Sequence, residues 1–208
     1  MLEQLDSIDW ASLGHAYGSA EDVPHQLRSL LSEDVEIRKE ALYELFGNIH
    51  HQGTVYEASS YAIPFLVEIL DDPNCQVKDD IILLLACIAG GSGYLEVHAV
   101  DDQGQLNLDE IPAEYGMSLK DEMQKEAEII KMVRVASSPL VLRLLTYLTH
   151  NEPEIRLTIA MMLPYYPEHF GITIPALEMA TSTESDEEVQ ESMQSALDEI
   201  KKRNSSQP

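Results

Sequence analysis

One register of apolar residues recurs along this chain, and it restricts the fold more than any other feature. A β-branched residue is followed by apolar residues four and eight positions later at Ile37-Ala41-Leu45, Val77-Ile81-Leu85, Ile155-Ile159-Leu163 and Val189-Met193-Leu197. Spacing of four lines three side chains along one helical face. The leading residues, at 37, 77, 155 and 189, are 40, 78 and 34 apart. The middle interval is close to twice the first, so one unit between Val77 and Ile155 is altered or replaced. A cation follows the leading residue in three copies (Arg38, Lys78, Arg156), and Gln190 takes that place in the fourth. Turn-formers and caps stand just upstream: Ser32-Glu33-Asp34, Asp72-Pro73-Asn74, Asn151-Glu152-Pro153 and the stretch from Ser182 to Asp186.

A second marker keeps the same phase. Pro24, Pro64, Pro139 and Pro175 each introduce an apolar helical stretch, at intervals of 40, 75 and 36. Proline suits a first helical turn and kinks a helix interior. Each unit therefore reads as a proline-marked helix, a polar turn and a second amphipathic helix. Neither helix buries its apolar face alone, but stacked pairs make a continuous core. The expected two-helix units lie at about 20–36, 37–52, 54–92, 118–165 and 167–202. The expected core includes Ile37, Leu45, Ile81, Leu85, Ile159, Leu163 and Leu197.

Units of about 40 residues, with proline in the first helix and Val/Ile-Arg/Lys opening the second, resemble HEAT repeats. That resemblance implies an all-α fold, an α-α superhelix (solenoid) of about four to five two-helix repeats with one irregular insertion. A narrower resemblance rests on Trp10, His15-Ala16-Tyr17-Gly18 and Asp22-Val23-Pro24. It continues through Gly47-Asn48-Ile49-His50-His51-Gln52-Gly53-Thr54-Val55-Tyr56-Glu57-Ala58 and Pro64-Phe65-Leu66. These tracts are similar to "HAYGxAxDVP" and "HQGTVYxA" tracts of a group of bacterial HEAT-repeat proteins. The resemblance implies fold and a bacterial, cytoplasmic origin, and it implies no activity.

Composition narrows the function. Among 208 residues, Lys+Arg number 13 and Asp+Glu 37, for a net charge of −24. Nucleic-acid binding needs clustered cations that release counterions from phosphates, so it is excluded as an expectation. An anionic membrane surface repels such a chain, and no stretch approaches a spanning length. A basic protein partner is instead attracted. The first residues are acidic and unlike a signal peptide, and Cys75 and Cys87 give no disulfide framework. A reducing cytoplasm is the expected location.

Local signals fill in the map. Residues 7–14 read as a short capping helix, with Trp10, the single tryptophan, plugging an exposed end. His15 to Gly18 reads as a loop. Thr54 with Glu57 matches a capping box after a break at Gly53, and Ser118 with Asp121 matches another. From Gly90 to Leu119 the helical pattern fails. Leu95, Val97 and Ala99 alternate with polar residues, and the segment at about 93–117 reads as an insertion loop within a single domain spanning 1–203. Residues 204–208 read as a flexible tail.

No catalytic motif, phosphate loop, cofactor site or metal-ligand spacing stands out. Adjacent His50 and His51 diverge on a helix and do not share a metal. Three function classes remain. The leading one is a non-enzymatic, acidic adaptor for a basic protein, one version being immunity-like neutralisation of a toxin. A HEAT-like enzyme such as a bilin lyase, and a structural scaffold, are the alternatives. The expected partner surface joins His50, His51, Gln52 and Tyr56 of one turn to Glu96, Asp101, Asp102, Asp109 and Glu110 of the insertion.

Overall fold

Alternation of capped turns with apolar helical runs produces a mainly helical protein in the computed structural model, which describes residues 1–98 and 119–205. The periodic residues fall on helices separated by short turns. Helices α1 (Val23–Ser29) and α2 (Val35–Asn48) form a packed pair, and α3 (Glu57–Leu70) and α4 (Lys78–Gly90) follow in the chain. Short α5 (Tyr94–His98) and long α6 (Leu119–Ser137) follow. A further pair joins an irregular run, a 3-10 turn at Ser138–Leu140, α7 (Val141–Leu144) and a 3-10 turn at Leu145–Thr149, to α8 (Pro153–Met162). Helices α9 (Phe170–Thr183) and α10 (Glu187–Ser205) form the last. Among the described residues the only sheet structure is two hairpins, β1 (Gly14–His15) with β2 (Gly18–Ser19) and β3 (His50–His51) with β4 (Thr54–Val55).

The segments expected at 20–36 and 37–52 hold one helix each, so α1 and α2 together make a single pair. The expected caps hold where a side chain reaches back. Asp34 Oδ1 accepts the Glu36 N–H at 2.9 Å, and Asp186 Oδ1 accepts those of Glu188 and Val189 at 3.1 Å. Pro24 lies in the first turn of α1, whereas Pro64 and Pro175 fall inside α3 and α9. The tail expected from residue 204 is helical through Ser205, because Arg203 is tied to Glu199 at 2.7 Å and to the Pro164 carbonyl at 3.0 Å.

The chain's contacts gather into two compact units. One is Met1–Val77 with Gly91–Ala136, the other Lys78–Gly90 with Ser137–Pro208, and the range 1–203 spans both. In the first, α1 packs on α2 and α3. Trp10 is buried there, its ring 6.2 Å from Phe65 and its Nε1–H donating to the Leu5 carbonyl at 2.8 Å. It sits on a single 3-10 turn, Trp10–Ser12, rather than on a helix over 7–14.

In the second unit α8 packs against both α4 and α10, and α9 packs against α10 and the Leu145–Thr149 turn. Helices α4, α8 and α10 thus lie side by side within this unit. Ile81, Leu85, Ile159, Leu163 and Leu197 are all buried, as is Leu45 in the first unit. Ile37 is not: it is 44% exposed. Val35, at the start of the same helix, is exposed too.

Two of the three cations after the leading residues, the arginines, have a common task. Arg38 Nη1 donates to the carbonyls of Ser32 and Glu33 at 2.7 and 3.0 Å. Arg156 Nη1 donates to those of His150 and Asn151 at 2.6 and 2.9 Å. Each ties off carbonyls of the turn that precedes its helix. Arg156 also grips Glu184 with two further bonds, Nε to Oε2 at 2.7 Å and Nη2 to Oε1 at 2.9 Å.

Candidate functional site

The two tracts that stand out in the sequence meet in the first unit, and Asp22 fastens them. The Tyr17 N–H donates to His15 Nδ1 at 3.0 Å, which leaves the ring proton on Nε2. Nε2 then donates to Asp22 Oδ1 at 3.0 Å. Asp22 Oδ2 accepts from Gln26 at 2.9 Å and from Asn48 at 3.0 Å. The Ala16 N–H reaches the Asn48 carbonyl at 3.0 Å. His15, Asp22 and Asn48 are therefore structural fasteners. The segment His15–Gly18, expected as a plain loop, closes a hairpin because its backbone has these partners.

The second tract is a hairpin rather than the end of a helix. Gln52 and Gly53 both have positive φ, 49° and 89°, the conformation of a tight primed turn. His50 and His51 consequently alternate across a strand instead of diverging around a helix. Burial, with the neighbouring His51 charge, pushes the His50 imidazole down to about 4, so it is neutral at pH 7. The His51 ring meets Tyr17 edge-on at 5.4 Å, with Tyr17 Oη 3.3 Å from Nδ1.

The capping box expected from Thr54 and Glu57 does not form, because Thr54 belongs to β4 and α3 opens at Glu57. Ser59 does the capping. Its Oγ accepts the Tyr56 N–H at 2.8 Å and donates to the Ile49 carbonyl at 2.6 Å. Glu57 is thereby released to accept the Gly14 N–H at 2.9 Å and to pair with Lys125 at 3.8 Å.

The start of the expected insertion lies against this hairpin. Ser92 donates to the Gly53 carbonyl at 2.9 Å and accepts the Val55 N–H at 3.0 Å, and the Val97 side chain faces Gly53. Strand-like alternation at Leu95 and Val97 gives way to α5, because the Glu126 carboxylate accepts the Leu95 N–H at 3.1 and 3.2 Å. Gly93 has no side chain to obstruct that carboxylate. Burial pushes the Glu126 carboxyl up, and the charges of Glu122 and Glu96 add to the rise, against the Leu95 and Tyr94 N–H bonds that lower it.

Together these elements enclose a cavity of about 510 Å³ between the hairpins, the start of α3, α5 and α6. Tyr17, Tyr56 and Tyr94 line it, with the carboxylates of Glu57, Glu122 and Glu126 and the ammonium of Lys125. Of the expected partner residues, the structure places His51 and Tyr56 on its wall. His50 lies half-buried on the same hairpin, Gln52 is exposed at its turn, and Glu96 is exposed on α5. Asp101, Asp102, Asp109 and Glu110 lie outside the described residues. Reading the sequence alone missed Tyr94, Glu122 and Glu126, whose signal was only the break of pattern near Gly93. A second cavity of similar size, near Arg38 and Asp72, is edged by the interhelical turns and carries no comparable set of rings and carboxylates.

Among the described residues no three His, Cys, Asp or Glu side chains are grouped to hold a metal, and no helix is long and apolar enough to cross a membrane. Compared with known proteins, the chain matches no family model, no curated protein and no solved structure.

Proposed function

We propose that the chain is a non-enzymatic, HEAT-like helical-repeat adaptor that binds a basic protein, with the cavity of the first unit as part of its contact surface. The single observation that supports it most is the cavity's composition, three carboxylates and three tyrosines beside one lysine, in a chain of net charge −24. The repeat reading draws support from the paired helices, from the side-by-side placement of α4, α8 and α10, and from the matched tasks of Arg38 and Arg156. Neutralisation of a basic toxin is one form such an adaptor takes. A cytoplasmic, bacterial setting accords with it.

The enzyme alternative has less to stand on. The one serine that meets both a histidine and a carboxylate, among the described residues, is Ser138. Its hydroxyl donates to Glu168 at 2.6 Å, and His169 Nε2 lies 3.0 Å from both the Ser138 hydroxyl and the Ser138 carbonyl. With the hydroxyl proton directed to the Glu168 carboxylate, a His169 ring protonated at Nε2 donates to the two Ser138 oxygens, an arrangement that ties the turn together without activating the serine.

The test is capture from a whole-cell lysate at low salt and at about 1 M, where the screening length shrinks to about 3 Å. Retained proteins should be basic and should elute at high salt. Retention of acidic and basic proteins alike, unchanged by salt, overturns the proposal.

A further inference from the structure

We propose that the cavity of the first unit is a receptor for one arginine side chain of the partner, its guanidinium held between tyrosine rings and the Glu122 carboxylate. This rests on the basic-partner reading and names the anchor that reading lacks.

Two polar atoms on the cavity wall are buried and have no partner: Glu122 Oε2 and Thr54 Oγ1. Thr54 is 2% exposed and lines the cavity. Buried polar atoms in native proteins are nearly always satisfied, so two orphans beside one cavity point to a ligand that supplies donors. The other carboxylates are engaged. Glu57 holds the Gly14 N–H and Lys125, and Glu126 holds the Leu95 N–H. Glu122 is the one with an oxygen to spare.

The rings choose among donors. Tyr17, Tyr56 and Tyr94 line the cavity, and a cation above the face of a tyrosine ring is attracted to it. An anion meets three carboxylates against one lysine and is repelled. A metal ion needs a tight set of ligands, and no such group exists among the described residues. Guanidinium fits better than ammonium. It is planar, stacks on aromatic rings, is weakly hydrated and carries five donors for separated acceptors such as Glu122 and Thr54.

The probes are N-acetyl-L-arginine methylamide and its lysine and citrulline counterparts, titrated into the whole protein. Amide shifts of Gly14, Tyr17, Thr54 and Leu95 and the tyrosine fluorescence give the readout. The arginine compound should bind and the neutral citrulline compound should not. Glu122→Gln should weaken binding by about tenfold or more, the range of a hydrogen bond to a charged group. Thr54→Val should weaken it without lowering the melting temperature. Lys125→Met should strengthen it, because a competing cation is gone. Equal binding of citrulline or of lysine overturns the assignment, as does indifference to both Glu122→Gln and Lys125→Met. Thr54→Val and Lys125→Met keep the test intact if Glu122→Gln fails to fold. An oligoarginine peptide separates the two proposals. If it binds wild type and Glu122→Gln equally, with loss at high salt, the cavity assignment falls and the basic-partner reading stands. If it binds neither, both fall.

Discussion

Ile37 and Leu45 stand eight residues apart on α2 and have opposite surroundings. Leu45 is fully buried and Ile37 is 44% exposed. Truncating Leu45 to Ala should cost about 2–5 kcal/mol of unfolding free energy, and truncating Ile37 less than about 0.5. Similar losses in a urea titration would show that the end of α2 is covered after all. Periodicity identified the helix correctly but assigned burial to its whole face, because spacing along one helix carries no information about which neighbours stand against each turn of it. His50 gives a second residue-level prediction. Its imidazole is pushed from an ordinary 6.5 down to about 4 by burial. Between those values the unfolded chain takes up a proton that the folded chain refuses. The stabilisation is therefore complete above about pH 6.5 and lost as pH falls to about 4, by about 3 kcal/mol. Glu126, whose carboxyl is raised, works in the opposite direction, so the comparison must be between wild type and His50→Gln. The variant should lose less stability between pH 7 and pH 4.5, measured by denaturant midpoints. Parallel profiles would refute the buried, neutral imidazole.

Helices announced themselves in the sequence through spacing, caps and proline, and α2, α3, α4, α8, α9 and α10 fall where those signals place them. The hairpins did not. Strands of two residues are too short for alternation to register, and they are held by Asp22, Asn48 and Ser92, partners distant in sequence. The same is true of the site. His51 and Tyr56 were legible as surplus polar groups beside a turn, whereas Glu122 and Glu126 are ordinary helix-surface carboxylates until α6 is laid against α5. Between elements, the Arg156–Glu184 pair makes the sharpest prediction. Both side chains are nearly buried, 11% and 6% exposed, and the bond to Arg156 holds the Glu184 carboxyl below its usual range. Replacing Glu184 by Ala strands a guanidinium and should cost about 3 kcal/mol. The double variant Arg156→Met, Glu184→Leu should recover much of that loss, since neither charge is left unpaired, although the carbonyls of His150 and Asn151 lose their donor. A double variant less stable than Glu184→Ala by thermal melting would show that the turn carbonyls, not the ion pair, dominate.

At the scale of the whole molecule, charge was fully legible and the grouping of contacts was not. Repeat phasing runs evenly through Val77 and Lys78, yet Lys78–Gly90 gathers its contacts with residues after Ser137. A periodic pattern specifies what each unit is and says little about which neighbours it holds most closely. The charge has a direct thermodynamic consequence. With 37 acidic and 13 basic residues, most carboxylates have no cation to answer them, and their mutual repulsion opposes the compact state. At about 0.01 M salt the screening length is about 30 Å, so this repulsion acts across most of the molecule, and at about 0.1 M it contracts to about 10 Å. The opposing effect, weakening of exposed pairs such as Lys39–Glu36 and Lys201–Glu178, is small because such pairs contribute little. The one ion pair nearly buried on both sides among the described residues, Arg156–Glu184, is scarcely screened. Repulsion should win. Raising sodium chloride from about 0.01 to about 0.1 M should lift the melting temperature by a few degrees, equivalent to about 1 kcal/mol for a chain of this size. The change should level off above that concentration, as screening does and as salting-out does not. A falling melting temperature over that interval would mean that attractive pairs outweigh the net charge, and the long-range attraction invoked for a basic partner would lose its source.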